Sequence, residues 1–134
     1  MITVLLADDH LMVRDGLRYI LEAAGDIEII ALASNGKEAV TQALKSCPDI
    51  AVIDISMPVM DGVEATKQIR EICPHTRIVT LSMYHTEEYV KRALNAGAFG
   101  YVLKDAAGNE LVKAVRSLHA GKRYFSPQVA RYDS

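Results

Sequence analysis

Short runs of β-branched and aliphatic residues alternate with stretches in which apolar positions recur every three or four residues, and the exchange repeats five times. Residues 3–7, 28–32, 50–54, 77–82 and 100–103 read as strands. Several are apolar on both faces, as strands of a parallel sheet covered on both sides must be. The intervening stretches read as helices. The first, over residues 10–24, carries the stripe Val13, Leu17, Ile20 and Leu21, and Gly25 suits a left-handed stop. The second follows Asn35-Gly36, uses Ala39, Val40, Ala43 and Leu44, and must end before Cys47-Pro48. The third follows the Asp61-Gly62 turn, uses Val63, Ile69 and Ile72, and ends before Pro74. The fourth is expected to be capped by Thr86, with Glu87 and Glu88 in its first turn, Val90, Ala93 and Leu94 inward and Gly97 as its stop. The fifth, over residues 107–120, places Leu111, Val112, Val115 and Leu118 on one face. Strand–helix alternation with short links means right-handed crossovers and helices on both faces of one sheet. After Gly121 the pattern stops, so residues 122–134 read as a partly disordered tail or linker, broken at Pro127.

Composition narrows the class. A chain of 134 residues, half of them hydrophobic and 24% charged, fits one soluble domain. With no Trp and only 2 Phe the core must be aliphatic. A net charge of −2 gives no electrostatic footprint for nucleic acid. Nothing resembles a leader peptide, and no apolar stretch is long enough to span a membrane. Cys47 and Cys73 each precede a proline and have no partner motif. They read as separate reduced thiols at helix ends, with a disulfide or metal pair as the minor alternative. These readings favour the cytosol.

The chemistry lies at the ends of the strand-like runs. Asp8 and Asp9 follow the first, Asp54 closes the third, Ser82 the fourth, and Lys104 follows the fifth. If the runs are parallel strands, all five side chains meet at the carboxyl edge of one sheet, where open α/β sheets hold ligands. Three carboxylates there repel one another unless a cation sits between them. A hard divalent ion with oxygen ligands, Mg2+ above all, meets that need. A carboxylate beside Mg2+, flanked by a lysine and a hydroxyl, is equipped to attack phosphorus. Singly these residues have plain alternatives: Asp8 and Asp9 as helix-capping acids, Asp54 as a turn residue, Ser82 and Lys104 as ordinary strand-end groups. Their joint placement is the argument. Tyr101, two residues before the end of the fifth run, reads equally as a half-buried core aromatic or as a ring beside the fourth helix. His10, His75, His85 and His119 share no metal-ligand spacing and read as surface residues, and Met12, Met57, Met60 and Met83 read as packing or loop residues.

These residues together resemble the receiver domain of bacterial two-component response regulators, over residues 2–120. The resemblance rests on Asp8-Asp9-His10, on Asp54-Ile-Ser-Met-Pro-Val-Met-Asp-Gly62, on Thr80-Leu-Ser82-Met, and on Gly100-Tyr101-Val-Leu-Lys104. Asp8-Asp9-His10, Leu81-Ser82-Met83 and the run from Ala96 to Asp105 look most like the NarL/FixJ subfamily. There a linker leads to a LuxR-type helix-turn-helix domain, and residues 121–130 resemble the start of that linker. The resemblance implies a flavodoxin-like doubly wound (βα)5 parallel sheet of order 2-1-3-4-5. It implies Asp54 as phosphoacceptor from a histidine kinase. Mg2+ would be held by Asp9 directly, by Asp8 mainly through water, by Asp54 and by the Ser56 carbonyl. Ser82 and Lys104 would contact phosphoryl oxygens, with Ser82 and Tyr101 forming the switch. It further implies a cytoplasmic regulator rather than a turnover enzyme, a phosphorylation-linked homodimer, no membrane partner, and DNA binding only through an output domain absent from residues 1–134. Met83 after Ser82, and Asp105 after Lys104 where many receivers carry proline, depart from the commonest pattern.

Three rivals were open to the residues. A haloacid-dehalogenase-type phosphatase needs a second acid two residues after its nucleophile, but His10 stands two after Asp8. A flavin module needs a hydroxyl-rich loop after the first strand, where this chain has acids. A degenerate docking receiver would not need all five site residues.

Overall fold

The computed structural model describes residues 1–133. Strands β1 (Ile2–Ala7), β2 (Ile27–Ala33), β3 (Ile50–Asp54), β4 (Arg77–Ser82) and β5 (Gly100–Leu103) alternate with helices α1 (Leu11–Ala23), α2 (Gly36–Ser46), α3 (Gly62–Ile72), α4 (Glu87–Ala96) and α5 (Ala107–His119). All strand pairs are parallel, and the order is β2-β1-β3-β4-β5 with a sixth strand, β6 (Tyr124–Phe125), beyond β5. The doubly wound reading therefore holds, extended by one strand.

Both faces of the sheet are covered. Leu6, Val52, Leu81 and Val102 pack with Leu17 and Leu21 of α1 and Leu111, Val115 and Leu118 of α5. Leu5, Ala51, Ile53 and Ile78 pack with Ala39 and Ala43 of α2 and Ala65 and Ile69 of α3. The inward positions of α2 are alanines, so the helix lies close to the sheet and Leu44, one position on from Ala43, turns outward and is exposed. Val13 and Ile72, expected inside, also lie at exposed margins of their helices. Thr86 occupies the N-cap position of α4, but its side chain makes no capping bond. Asn35 and Asp61 do cap, accepting from the Glu38 and Glu64 backbone N–H groups at 2.8 and 2.9 Å.

Two expectations need correction. Regular structure does not stop at Gly121. β6 pairs with β5, a 3-10 turn over Pro127–Tyr132 follows, and buried Val129 packs with Val90, Ala93 and Tyr101. A strand of two residues is too short to show alternation, and Pro127 opens the turn instead of breaking it. The second correction concerns the cysteines. Cys47 and Cys73 are joined in a disulfide, with their Cα atoms 5.4 Å apart. They are the C-cap residues of α2 and α3, neighbouring helices that end together at the amino edge of the sheet, a proximity that 26 residues of separation conceal. The cysteine argument for a reducing compartment falls away.

Candidate functional site

Register brings the strand ends together. Ala7 of β1 pairs with Ile53 of β3, so the next residues, Asp8 and Asp54, stand side by side. Both are buried, at 0% and 2% exposure, whereas Asp9 is exposed. Lys104 reaches in from the residue after β5: its Nζ lies 2.8 Å from Asp54 Oδ2 and 3.1 Å from Asp8 Oδ2. A lysine so placed compensates two sealed carboxylates with a single charge.

The titration behaviour reflects that imbalance. Burial pushes the Asp54 carboxyl above the usual carboxylate range; hydrogen bonds from Lys104 and the Ser56 N–H oppose this, and the Asp8 charge adds to it. Burial disfavours the Lys104 ammonium, yet Asp54 and then Asp8 outweigh it and hold the group above its ordinary value. A simple ion pair would lower its acid as it raised its base. Here only the base behaves so, because the acid is buried beside a second carboxylate.

The loop after Asp54 is tightly drawn. The Ser56 N–H donates to Asp54 Oδ1 at 3.0 Å, Gly62 N to Ile55 O at 3.0 Å, and Gly36 N to Met60 O at 3.0 Å. A Cβ on Gly62 would stand 2.2 Å from the Asp54 carbonyl oxygen, so only glycine lets α3 start this close to β3. Val59 has φ +70°, a left-handed conformation that a β-branched residue adopts only under constraint.

Ser82 ends β4, wholly buried, opposite Leu103. Its hydroxyl accepts from the Tyr84 N–H at 2.9 Å. Tyr101 lies beside α4, as one of its two readings had it, and is fully rather than half buried. It is completely enclosed among Val90, Ala93, Ala98 and Leu103, and its hydroxyl donates to the Tyr84 carbonyl at 2.6 Å. Burial pushes its phenol up to about 12, with the neighbouring Ser82 hydroxyl working the other way.

Asp8, Asp54 and Lys104 are thus in direct contact, Asp9 and Ser56 border them, and Ser82 and Tyr101 adjoin them, linked through the Tyr84 backbone, whose N–H donates to Ser82 and whose carbonyl accepts from Tyr101. His10, read from the sequence as a surface residue, joins the acids: its Nδ1 lies 3.4 Å from Asp8 Oδ1, 3.4 Å from Asp9 Oδ1 and 3.2 Å from Lys104 Nζ. Its position directly after Asp8-Asp9 was the available signal, but no second histidine completes a spacing. The donor set suits a divalent cation. Ligand atoms of Asp8, Asp9, His10 and Asp54 all fall within 4.8 Å of one another. Asp8 Oδ2 is sealed from solvent and, among the described residues, has no hydrogen-bond partner, with the Lys104 ammonium 3.1 Å away. A buried carboxylate oxygen left so is the kind of donor a hard divalent ion takes.

Comparison with known proteins identifies the family. The family model described as "Response regulator receiver domain" matches residues 4–116. The chain is 39% identical over 127 residues to the oxygen regulatory protein NreC of Staphylococcus carnosus, covering 94% of this chain and 58% of that protein. It is 38% identical over 129 residues to the transcriptional regulatory protein LnrK of Bacillus subtilis, covering 96% and 59%. The chain therefore spans less than two thirds of the length of these curated relatives. Among solved structures, a LuxR-family two-component response regulator from Aurantimonas sp. SI85-9A1 superposes with a TM-score of 0.92 at 35% identity, covering 97% of this chain and 93% of that one. The chain belongs to the response regulator receiver domain family, and its relatives are of the NarL/FixJ, LuxR-type kind.

Proposed function

We propose that Asp54 is the phosphoacceptor of this receiver, taking a phosphoryl group from a histidine kinase. The observation that carries this is the buried Asp54 carboxylate held 2.8 Å from Lys104 with Asp8 alongside. An Asp54 oxygen attacks phosphorus, the phosphorus–nitrogen bond to the donor imidazole breaks, and the imidazole leaves with the bonding pair. Lys104, already aimed at Asp54, turns to the equatorial phosphoryl oxygens as charge develops there. Asp8, Asp9, Asp54 and the Ser56 carbonyl would hold Mg2+, which would neutralise the acids and the incoming phosphate. Positioning and electrostatics supply the rate, so the domain is regulatory and catalyses only its own phosphorylation and dephosphorylation.

Phosphorylation adds charge and three acceptor oxygens. Ser82 then has a reason to donate its O–H to a phosphoryl oxygen and to move away from the Tyr84 N–H. That movement releases Tyr84, whose carbonyl anchors the Tyr101 phenol, and alters the surface of α4. Tyr101 is already inside, so the switch we assign is a change in what anchors the phenol and the 83–86 loop. The wider reading is a cytoplasmic regulator whose residues 2–120 are the receiver, with 121–134 leading toward a LuxR-type helix-turn-helix output, and with homodimerisation linked to phosphorylation. Its support is the regulatory names of the relatives and the part of their length that this chain does not span. No helix among the described residues is long and apolar enough to cross a membrane.

The test is intact-mass spectrometry with a small acyl phosphate. One phosphoryl group should be added in the presence of Mg2+, none in EDTA, and none in Asp54→Ala. Modification that persists in the variant overturns the assignment.

A further inference from the structure

The acids at the carboxyl edge are joined by a nitrogen donor that the proposed magnesium set does not use. We propose that His10 is a ligand of the same site through Nδ1, making it a mixed nitrogen–oxygen centre that selects first-row transition ions over Mg2+. This rests on the reading that Asp8, Asp9 and Asp54 hold a divalent cation.

Three observations carry it. The first is distance. Two ligands each about 2.1 Å from one ion stand about 3.0 Å apart at a right angle and about 3.4 Å apart at the tetrahedral angle. His10 Nδ1 lies 3.4 Å from one oxygen of Asp8 and 3.4 Å from one of Asp9. The second is direction. Lys104 Nζ is 3.2 Å from Nδ1, and an ammonium can only donate. Nδ1 therefore points into the place where charge is shared between the lysine and the acids. A divalent ion bound among those acids would meet the same nitrogen. The third is anchoring. The His10 N–H donates to Asp8 Oδ1 at 2.8 Å, which ties the backbone of the histidine to the carboxylate beside it. The ring is also 61% exposed, so little hydration is lost when it ligates.

The chemistry decides which ions gain. Mg2+ prefers oxygen and keeps its waters, so an imidazole adds little to its binding. Affinity for nitrogen donors rises from Mn2+ through Co2+ to Ni2+. His10 therefore weights the site toward the later ions and supplies an oxygen-only cluster with a selectivity it would otherwise lack.

The experiment uses the 134-residue chain with Mg2+, Mn2+ and Ni2+ as probes. Calorimetry gives the ratio of Ni2+ to Mg2+ affinity, and pulsed EPR of the Mn2+-loaded protein reads nitrogen coupling directly. Wild type should show 14N modulation, lost in His10→Ala and in His10→Asn, and the affinity ratio should fall at least about tenfold in both. Absence of nitrogen coupling from Mn2+ that Mg2+ displaces, or an unchanged ratio in the variants, overturns the role of His10 while leaving the acidic site intact. Mg2+ binding that is undetectable, or undiminished by Asp54→Asn, overturns the cation reading itself and the inference with it.

Discussion

The two edges of the sheet are finished in opposite ways. At the amino edge nearly every loose end is tied. The Cys47–Cys73 disulfide joins the ends of α2 and α3. Thr3 and Asp49 exchange reciprocal hydrogen bonds, each 2.9 Å, and buried Thr76 donates to the Pro48 carbonyl. Arg70 Nη1 donates to the Pro74 and Thr76 carbonyls, and Arg77 Nη1 to that of Leu118. A cleft of about 350 Å³ lies there among Arg70, His75, Arg77 and Phe99, but its guanidiniums are engaged in capping carbonyls. At the carboxyl edge, α1 and α4 begin without a side-chain cap, one lysine serves two buried acids, and Val59 is held left-handed. The comparison teaches that one edge holds the fold and the other holds unbalanced charge that a ligand can relieve.

The strongest way to break this comparison is to open the amino edge. Reducing Cys47–Cys73 frees a 26-residue loop and should lower stability by about 3 kcal/mol, read as a shift in urea midpoint. Phosphoryl acceptance at Asp54 under native conditions should persist. If it fails in step with stability, the edges are not separable. Next in size, Gly62→Ala drives a methyl into the Asp54 carbonyl and should cost about 2 kcal/mol while slowing phosphoryl acceptance. A neutral effect on both would show that the loop relaxes freely.

A comparable loss should appear in alkali. Tyr101 and Tyr124 have phenols pushed up to about 12, each chiefly by burial. A group raised on folding stabilises fully below its unfolded value, and that contribution is lost as pH climbs through the folded one. For Tyr101 stability should therefore fall by about 2 kcal/mol between roughly pH 10 and pH 12. The loss should shrink in Tyr101→Phe and would be absent if the ring were exposed.

The smallest effect carries the opposite sign. Asp54 holds its proton more tightly folded than unfolded, so its contribution is greatest in acid and is lost as pH rises through the raised value. At neutral pH its charge burdens the fold, and Asp54→Asn should leave stability equal or slightly higher in a urea melt. A clear loss would mean that the Lys104 pair outweighs burial.

The sheet and the site chemistry were legible because both depend on strands with local patterns that end in distinctive residues. Asp8, Asp54 and Lys104 meet because parallel strands align their ends. What escaped depends on proximity across the chain. Cys47 and Cys73 are ordinary helix-end residues until α2 and α3 lie side by side. His10 has no partner histidine in the sequence; its partners are acids. Tyr101 could be placed on its strand, but its enclosure required Val129, from a stretch too short and too interrupted to register as structure.

Ser126 gives the segment after α5 a mechanical purchase on the site. Its N–H donates to the Tyr101 carbonyl at 3.0 Å, while its buried Oγ accepts from the Leu103 N–H at 2.9 Å and donates to Glu110 at 2.6 Å. Leu103 immediately precedes Lys104. Tension applied to the chain past Ser126 is therefore delivered to the backbone of the lysine that neutralises Asp54. Displacement of Lys104 is transmitted outward along the same bonds, so load and charge act on opposite ends of one short lever.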